Sequence, residues 1–185
     1  MLGLYIVLAI VVVVLLWFVG AYNGFIRLVN RTKEAWADID VQLKRRYDLI
    51  PNLVATVKGY ATHETQAFEN VTKARAQALG AQSVGDKAKA ENQVSAALKS
   101  IFAVAEAYPQ LRAVEGFTKL QDELTDTEDK IQAARRFYNG NVRDLNTRIE
   151  SFPYNMLAGM FHFQKMEFFE LEAGNEATEP VKVQF

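Results

Sequence analysis

No charged residue occurs between Met1 and Ile26, and the stretch from Leu2 to Phe18 is almost entirely Leu, Val, Ile, Ala and aromatic. A helix over residues 2–22 would be about 30 Å long at about 1.5 Å per residue, the thickness of a bilayer's hydrocarbon core. The run therefore predicts a transmembrane helix over residues 1–23. Val19-Gly20-Ala21 has the small residues of a signal-peptide cleavage site. A signal peptide, however, carries basic residues before a shorter apolar core, so a retained anchor is expected. Trp17 and Tyr22 lie near one end of the run, where amphipathic rings favour the membrane–water interface. No Lys or Arg precedes the run, whereas Arg27, Arg31 and Lys33 follow it closely. Positive residues stay on the cytoplasmic side, which predicts a single-pass membrane protein, its short N-terminus outside and the rest in the cytoplasm.

The remaining residues suit one domain, expected over 24–173, with a flexible C-terminal tail over 174–185. Cysteine is absent, which removes disulfides, thiolate nucleophiles and cysteine-bound metals. The net charge of −1 gives no reason to expect a nucleic-acid partner. Charge is nevertheless uneven, with basic residues concentrated after the apolar run and acidic ones towards the C-terminus. Arg27, Arg31 and Lys33 are therefore candidates for contact with anionic lipid head groups.

From Trp36 onward apolar residues recur every three or four positions, through Ile39, Leu43, Ile50, Leu53, Val57 and Tyr60 to Val71 and Ala74. That is the stripe of a helix packed on other helices. Arg46 and Glu64 interrupt it. The phase persists across Pro51, which predicts one long, kinked helix continuing from the membrane span; the alternative is a new helix with Asp48 as N-cap and Pro51 in its first turn. Gly80–Gly85 reads as a loop and Asp86 as the cap of the next helix. That helix carries Glu91, Val94, Leu98, Ile101 and Ala105 at helical spacing and ends before Pro109. Another runs from Phe117 to Ile149 through Asn139-Gly140-Asn141, with Glu115–Lys119 and Asp126–Lys130 as outward pairs. A last helix is expected from Tyr154 to Ala173. The fold class is all-α: an N-terminal transmembrane helix continuing into an antiparallel up-and-down bundle, standing as a rigid rod on the bilayer.

The segment Ala35-Trp36-Ala37-Asp38-Ile39-Asp40-Val41-Gln42-Leu43-Lys44-Arg45-Arg46-Tyr47-Asp48-Leu49-Ile50-Pro51-Asn52-Leu53-Val54 closely resembles the signature of the bacterial LemA family. Val57–Glu64, Thr72–Arg75, Glu128–Asn139 and Phe152–Asn155 are similar to it as well. The resemblance implies an N-terminal membrane helix, a cytoplasmic helical bundle and no established catalytic activity. The tail after Glu172 departs from the family pattern and inherits no role.

Chemistry is hard to find in this chain. His63-Glu64 begins like the zinc-protease motif, but Ala67 stands where the second histidine belongs. The only other histidine is His162, and nothing designates further ligands, so no metal is expected. Asp122, Glu123, Asp126, Glu128 and Asp129 read as a solvated helix face. No phosphate loop, nucleophile elbow or dinucleotide fingerprint occurs, and neither an enzyme nor a cofactor is expected.

Two features point to association instead. Gly20 and Gly24 form a GxxxG at the inner end of the span. The segment Met156–Phe169 carries more Phe and Met than one buried stripe needs, including Phe161, Phe163, Phe168 and Phe169. These residues are candidates for a subunit, partner or membrane contact. The reading that follows is a non-enzymatic scaffold that self-assembles as a homo-oligomer on the lipid bilayer and binds an unidentified membrane or envelope protein. The alternative is a signalling or regulatory module coupled to the membrane or to a membrane protease.

Overall fold

A computed structural model describes residues 1–170. Among these residues there are six helices and no strand: α1 (Leu2–Lys58), α2 (Thr65–Gly80), α3 (Val84–Glu106), α4 (Pro109–Arg112), α5 (Glu115–Glu150) and α6 (Tyr154–Met160). The fold is all-α, as the periodicity requires. The expected tail at 174–185 lies outside the described residues.

The apolar run and the first bundle helix are one element, and Pro51 lies inside it. Proline has no N–H, so the carbonyl four residues earlier loses its helical partner. That carbonyl belongs to Tyr47, and Arg75 Nε of α2 donates to it at 2.7 Å. A cross-helix hydrogen bond thus replaces the one that proline removes.

The long stripe does not continue as one helix to Ala74. After Lys58 the carbonyl of Val57 accepts from Tyr60 N at 3.0 Å and from Ala61 N at 2.9 Å, closing α1. Gly59 is the residue with the highest helix cost short of proline, so the break falls there. Val71 and Ala74 are buried, but from α2. The loop before α3 also differs in its cap. Ser83, not Asp86, is the N-cap: its Oγ accepts from Asp86 N at 3.0 Å and donates to Asp86 Oδ2 at 2.7 Å. Asp86 is the third helical residue, where the helix dipole favours a carboxylate. Helix α5 runs unbroken through Asn139-Gly140-Asn141. Tyr138, Asn141 and Val142 are buried around Gly140, and that packing outweighs the roughly 1 kcal/mol cost of glycine.

The final helix is much shorter than its composition suggests. It stops at Met160 and the chain from His162 to Glu170 is irregular. His162 adopts φ 56°, the left-handed conformation that closes a helix. Phe163 N then bonds to Ala158 O at 3.0 Å and His162 N to Gly159 O at 3.4 Å, a Schellman closure built without glycine. Histidine is one of the few larger residues enriched in that region.

The described residues divide into two compact units. One comprises residues 1–40 and 133–167; the other comprises 41–132 and 168–170. Both draw on α1 and α5, whereas the sequence groups 24–173 as a single bundle.

Candidate functional site

In the first unit, the start of α5's partner segment on α1 pairs antiparallel with the end of α5. Trp36 packs on Tyr138 with ring centroids 5.2 Å apart, Arg31 lies 5.3 Å over Phe137, and Arg148 lies 5.7 Å over Phe25. A core of Ala21, Phe25, Leu145, Leu157 and Ala158 forms where α6 returns against α1. Phe25 is fully buried and stacks on Phe163, centroids 4.7 Å apart and planes 17° apart. Tyr154 meets Trp17 at 5.7 Å, and Phe161 meets Phe18 at 5.8 Å and Tyr22 at 4.8 Å. Offset and edge-on ring pairs of this kind add about 0.5–1.5 kcal/mol each beyond burial.

Arg148 is sandwiched into this aromatic seat. Its guanidinium carbon lies 4.4 Å from the centre of the Tyr154 ring. Gly24 makes the room: a Cβ there would stand 2.9 Å from Arg148 Nη2. Gly24 is thus buried beneath a cation of its own chain, while a Cβ at Gly20 would meet nothing within 4 Å.

The residues after α6 form a strap on α5. Asn146 donates to Met166 O at 2.9 Å and accepts from Met166 N at 3.0 Å, imitating a strand neighbour. Tyr138 Oη donates to Glu167 O at 2.9 Å, and Lys165 pairs with Glu150. Burial, then the Glu167 charge, pushes the Tyr138 phenol above its ordinary pKa.

The sequence candidates therefore separate. Trp17, Tyr22, Gly24, Phe161 and Phe163 converge on one seat at the end of the apolar run. Arg31 lies over Phe137 beside it, and Arg27 and Lys33 are exposed. Phe168, 40 % exposed, and Phe169, fully buried, fall in the other unit and on no helix. Sequence reasoning missed Phe18, Phe25, Arg148 and Tyr154. The signal was available: the heptad stripe extends backward from Trp36 through Thr32, Phe25 and Phe18, but the apolar run hides it.

The second unit holds a buried ionic cluster that the sequence showed only as a break in the stripe. Arg46 is 1 % exposed, and Glu91 is fully buried. Arg46 pairs with Glu91 of α3 and with Glu128 Oε2 of α5 at 2.6 Å, and donates to Ser95 Oγ at 3.3 Å. Tyr47 Oη donates to Glu91. Burial draws the Arg46 pKa below its ordinary value, and the charge and hydrogen bond of Glu128 draw it back up. Three helices are thus joined through one guanidinium. The cluster is closed at Glu91 and open at Glu128, whose side chain is 38 % exposed. At the exposed end of the acidic face, Lys130 hydrogen-bonds Asp126 and, with Arg45 also nearby, holds that carboxyl below its ordinary pKa. Among the described residues no three of His, Asp and Glu converge as metal ligands. His63 and His162 are both exposed.

Helix α1 carries the membrane question. Its apolar run is long enough to cross a bilayer, and none of that segment is buried against the rest of the chain. Known proteins are similar along most of the length. Magnetosome protein MamQ 1 of Paramagnetospirillum magneticum is 25 % identical over 80 % of this chain and 64 % of its own length. Magnetosome protein MamQ of Magnetospirillum gryphiswaldense is 24 % identical over 83 % of this chain and 66 % of its own. The chain thus spans less than two thirds of these relatives. Protein LemA of Metamycoplasma hominis is 24 % identical over 83 % of this chain and 70 % of its own. The model of the LemA family matches residues 35–185, and on that match, which covers most of its length, this membrane-associated helical chain belongs to the LemA family.

Proposed function

We propose that this protein is a non-enzymatic, membrane-anchored helical scaffold that self-assembles and presents a surface to membrane or envelope proteins. The observation that supports it most is the continuity of α1. Side chains from Leu2 to Leu16 are bare, and within the next three turns the same helix buries one face, with Ala21 and Phe25, in an aromatic core. A helix with a bare apolar half belongs in lipid. The flanking Arg27, Arg31 and Lys33 support a bundle on the cytoplasmic side of the bacterial inner membrane, where these residues would meet anionic head groups.

Assembly would use surface that the single chain leaves uncovered. Gly20 is open for close helix approach in the span, and Phe168 and Val41 are exposed apolar residues elsewhere. Full-length protein released in polymer-bounded lipid discs should have the mass of one discrete oligomer. Phe168→Asp should lower the copy number at unchanged helicity. Single copies before and after the substitution would contradict self-assembly.

A further inference from the structure

The turn between α5 and α6, with α6 itself, leaves an apolar stripe bare. Phe152 is 79 % exposed, Met156 67 %, Met160 63 % and Phe161 41 %. Phe152, Met156 and Met160 are spaced four apart, so the last two share one face of α6. The opposite face is spent on the core, with Leu157 and Ala158 buried. From Phe152 to Phe161 there is no Asp, Glu, Lys or Arg. Long exposed apolar side chains in an uncharged stretch are not the surface of a segment bathed in water.

The ring contacts fix where this stripe lies along α1. Tyr154, at the start of α6, packs on Trp17 and Phe25. Phe161, just past its end, packs on Phe18 and Tyr22. Both ends of α6 therefore meet α1 within the same two or three turns, so α6 lies across α1 rather than along it. Those turns are the last of a span that starts at Leu2 and needs about 20 residues. They also hold Trp17 and Tyr22, the ring types that settle at the headgroup boundary.

We infer that α6 is a second membrane element, an in-plane wedge whose Phe152, Met156, Met160 and Phe161 enter the boundary between head groups and acyl chains beside the span. The occupant of the bare face is lipid, because the face is continuous with a surface that is itself lipid-facing. This rests on α1 spanning the bilayer. An amphipathic helix lying at that boundary buries its apolar face to a depth of about 5–10 Å. Two contacts with the membrane, one across it and one in its plane, fix the depth of the first unit in a way a lone span does not. Arg148, between Phe25 and Tyr154, ties the two together.

Absence of cysteine makes the test clean. Nitroxide is attached to single cysteines in full-length protein in lipid nanodiscs: Val12→Cys in the span, Met156→Cys and Met160→Cys on the wedge, and Lys119→Cys as the aqueous reference. Collision with oxygen is compared with collision with a water-soluble nickel chelate. The wedge labels should favour oxygen, less strongly than Val12→Cys, whereas Lys119→Cys favours nickel. If Val12→Cys favours oxygen but both wedge labels match Lys119→Cys, the wedge is wrong and the anchor stands. If Val12→Cys itself favours nickel, the anchor and the wedge fall together. Spin–spin broadening at Met156→Cys and Met160→Cys that disappears on dilution with unlabelled protein, without an oxygen preference, would assign the face to a second copy and overturn lipid contact.

Discussion

The two units are built by the same pair of long helices and packed by different chemistry. In the first, α1 and α5 meet through Trp36, Tyr138, Phe25 and Leu145, with Arg148 held between rings. In the second, the inward position on α1 is Arg46, answered by Glu91 and Glu128 from two other helices. Rings fill volume and tolerate few alternatives. A buried guanidinium fixes which helices meet, but its desolvation offsets much of its attraction. The comparison teaches that one heptad stripe can carry an aromatic seat beside the anchor and an ionic clasp further on, without any change of helical period.

Two parallel substitution pairs would sharpen that difference most. Arg46→Ala leaves the Glu91 charge buried without its guanidinium and should cost about 3–5 kcal/mol. Arg46→Met with Glu91→Leu should recover most of that loss or exceed the parent stability, because apolar residues often replace buried ion pairs without cost. Phe25→Ala should also cost about 3–5 kcal/mol, but adding Phe163→Ala should make matters worse. Thermal melts of the full-length protein in one detergent, followed by circular dichroism, read both pairs. Rescue of the aromatic pair, or no rescue of the ionic one, would erase the distinction.

A smaller effect is expected where Arg75 bonds the Tyr47 carbonyl that Pro51 leaves free. Arg75→Met should cost about 1–2 kcal/mol by orphaning that carbonyl. Pro51→Ala restores an N–H to the helix, so Arg75→Met should cost less on that background. Equal costs on both backgrounds would detach Arg75 from the proline.

The smallest effect is a pH dependence in the first unit. The Tyr138 phenol is raised above 10.0 by burial and by Glu167, so its contribution to stability is complete below that pH. It declines as pH climbs through the raised folded value. Tyr138→Phe should flatten the alkaline limb of a stability profile, on top of a pH-independent loss of about 1 kcal/mol from the missing hydrogen bond to Glu167 O. An unchanged alkaline limb would show that the phenol does not contribute.

Much of this was legible because periodicity survives on exposed and buried helices alike. The apolar run, the passage of α1 through Pro51 and the length of α5 all follow from spacing and from the weakness of competing strand patterns. The misses share a cause: local backbone chemistry that tertiary contacts decide. The stripe kept phase across Gly59, so a helix end looked like a helix interior. Phe161-His162-Phe163 looked helical because apolar residues were dense, yet His162 turned left-handed and the strap found its hydrogen bonds on Asn146 and Tyr138 instead. Arg46 looked like an interruption because its partners lie 45 and 82 residues away on other helices. Gly24 read as an outward contact residue because sequence does not reveal that Arg148 comes back over it.

The account depends above all on α1 crossing the bilayer with the bundle on the cytoplasmic side. Lys99→Cys provides a single exposed thiol on α3 in an otherwise cysteine-free chain. Intact spheroplasts carrying this variant are treated with a membrane-impermeant maleimide, and a second sample is treated after lysis. The account predicts that the protein remains in the carbonate-washed membrane and that Lys99→Cys is labelled only after lysis. Labelling in intact spheroplasts would reverse the orientation, and release by carbonate would contradict the anchor itself.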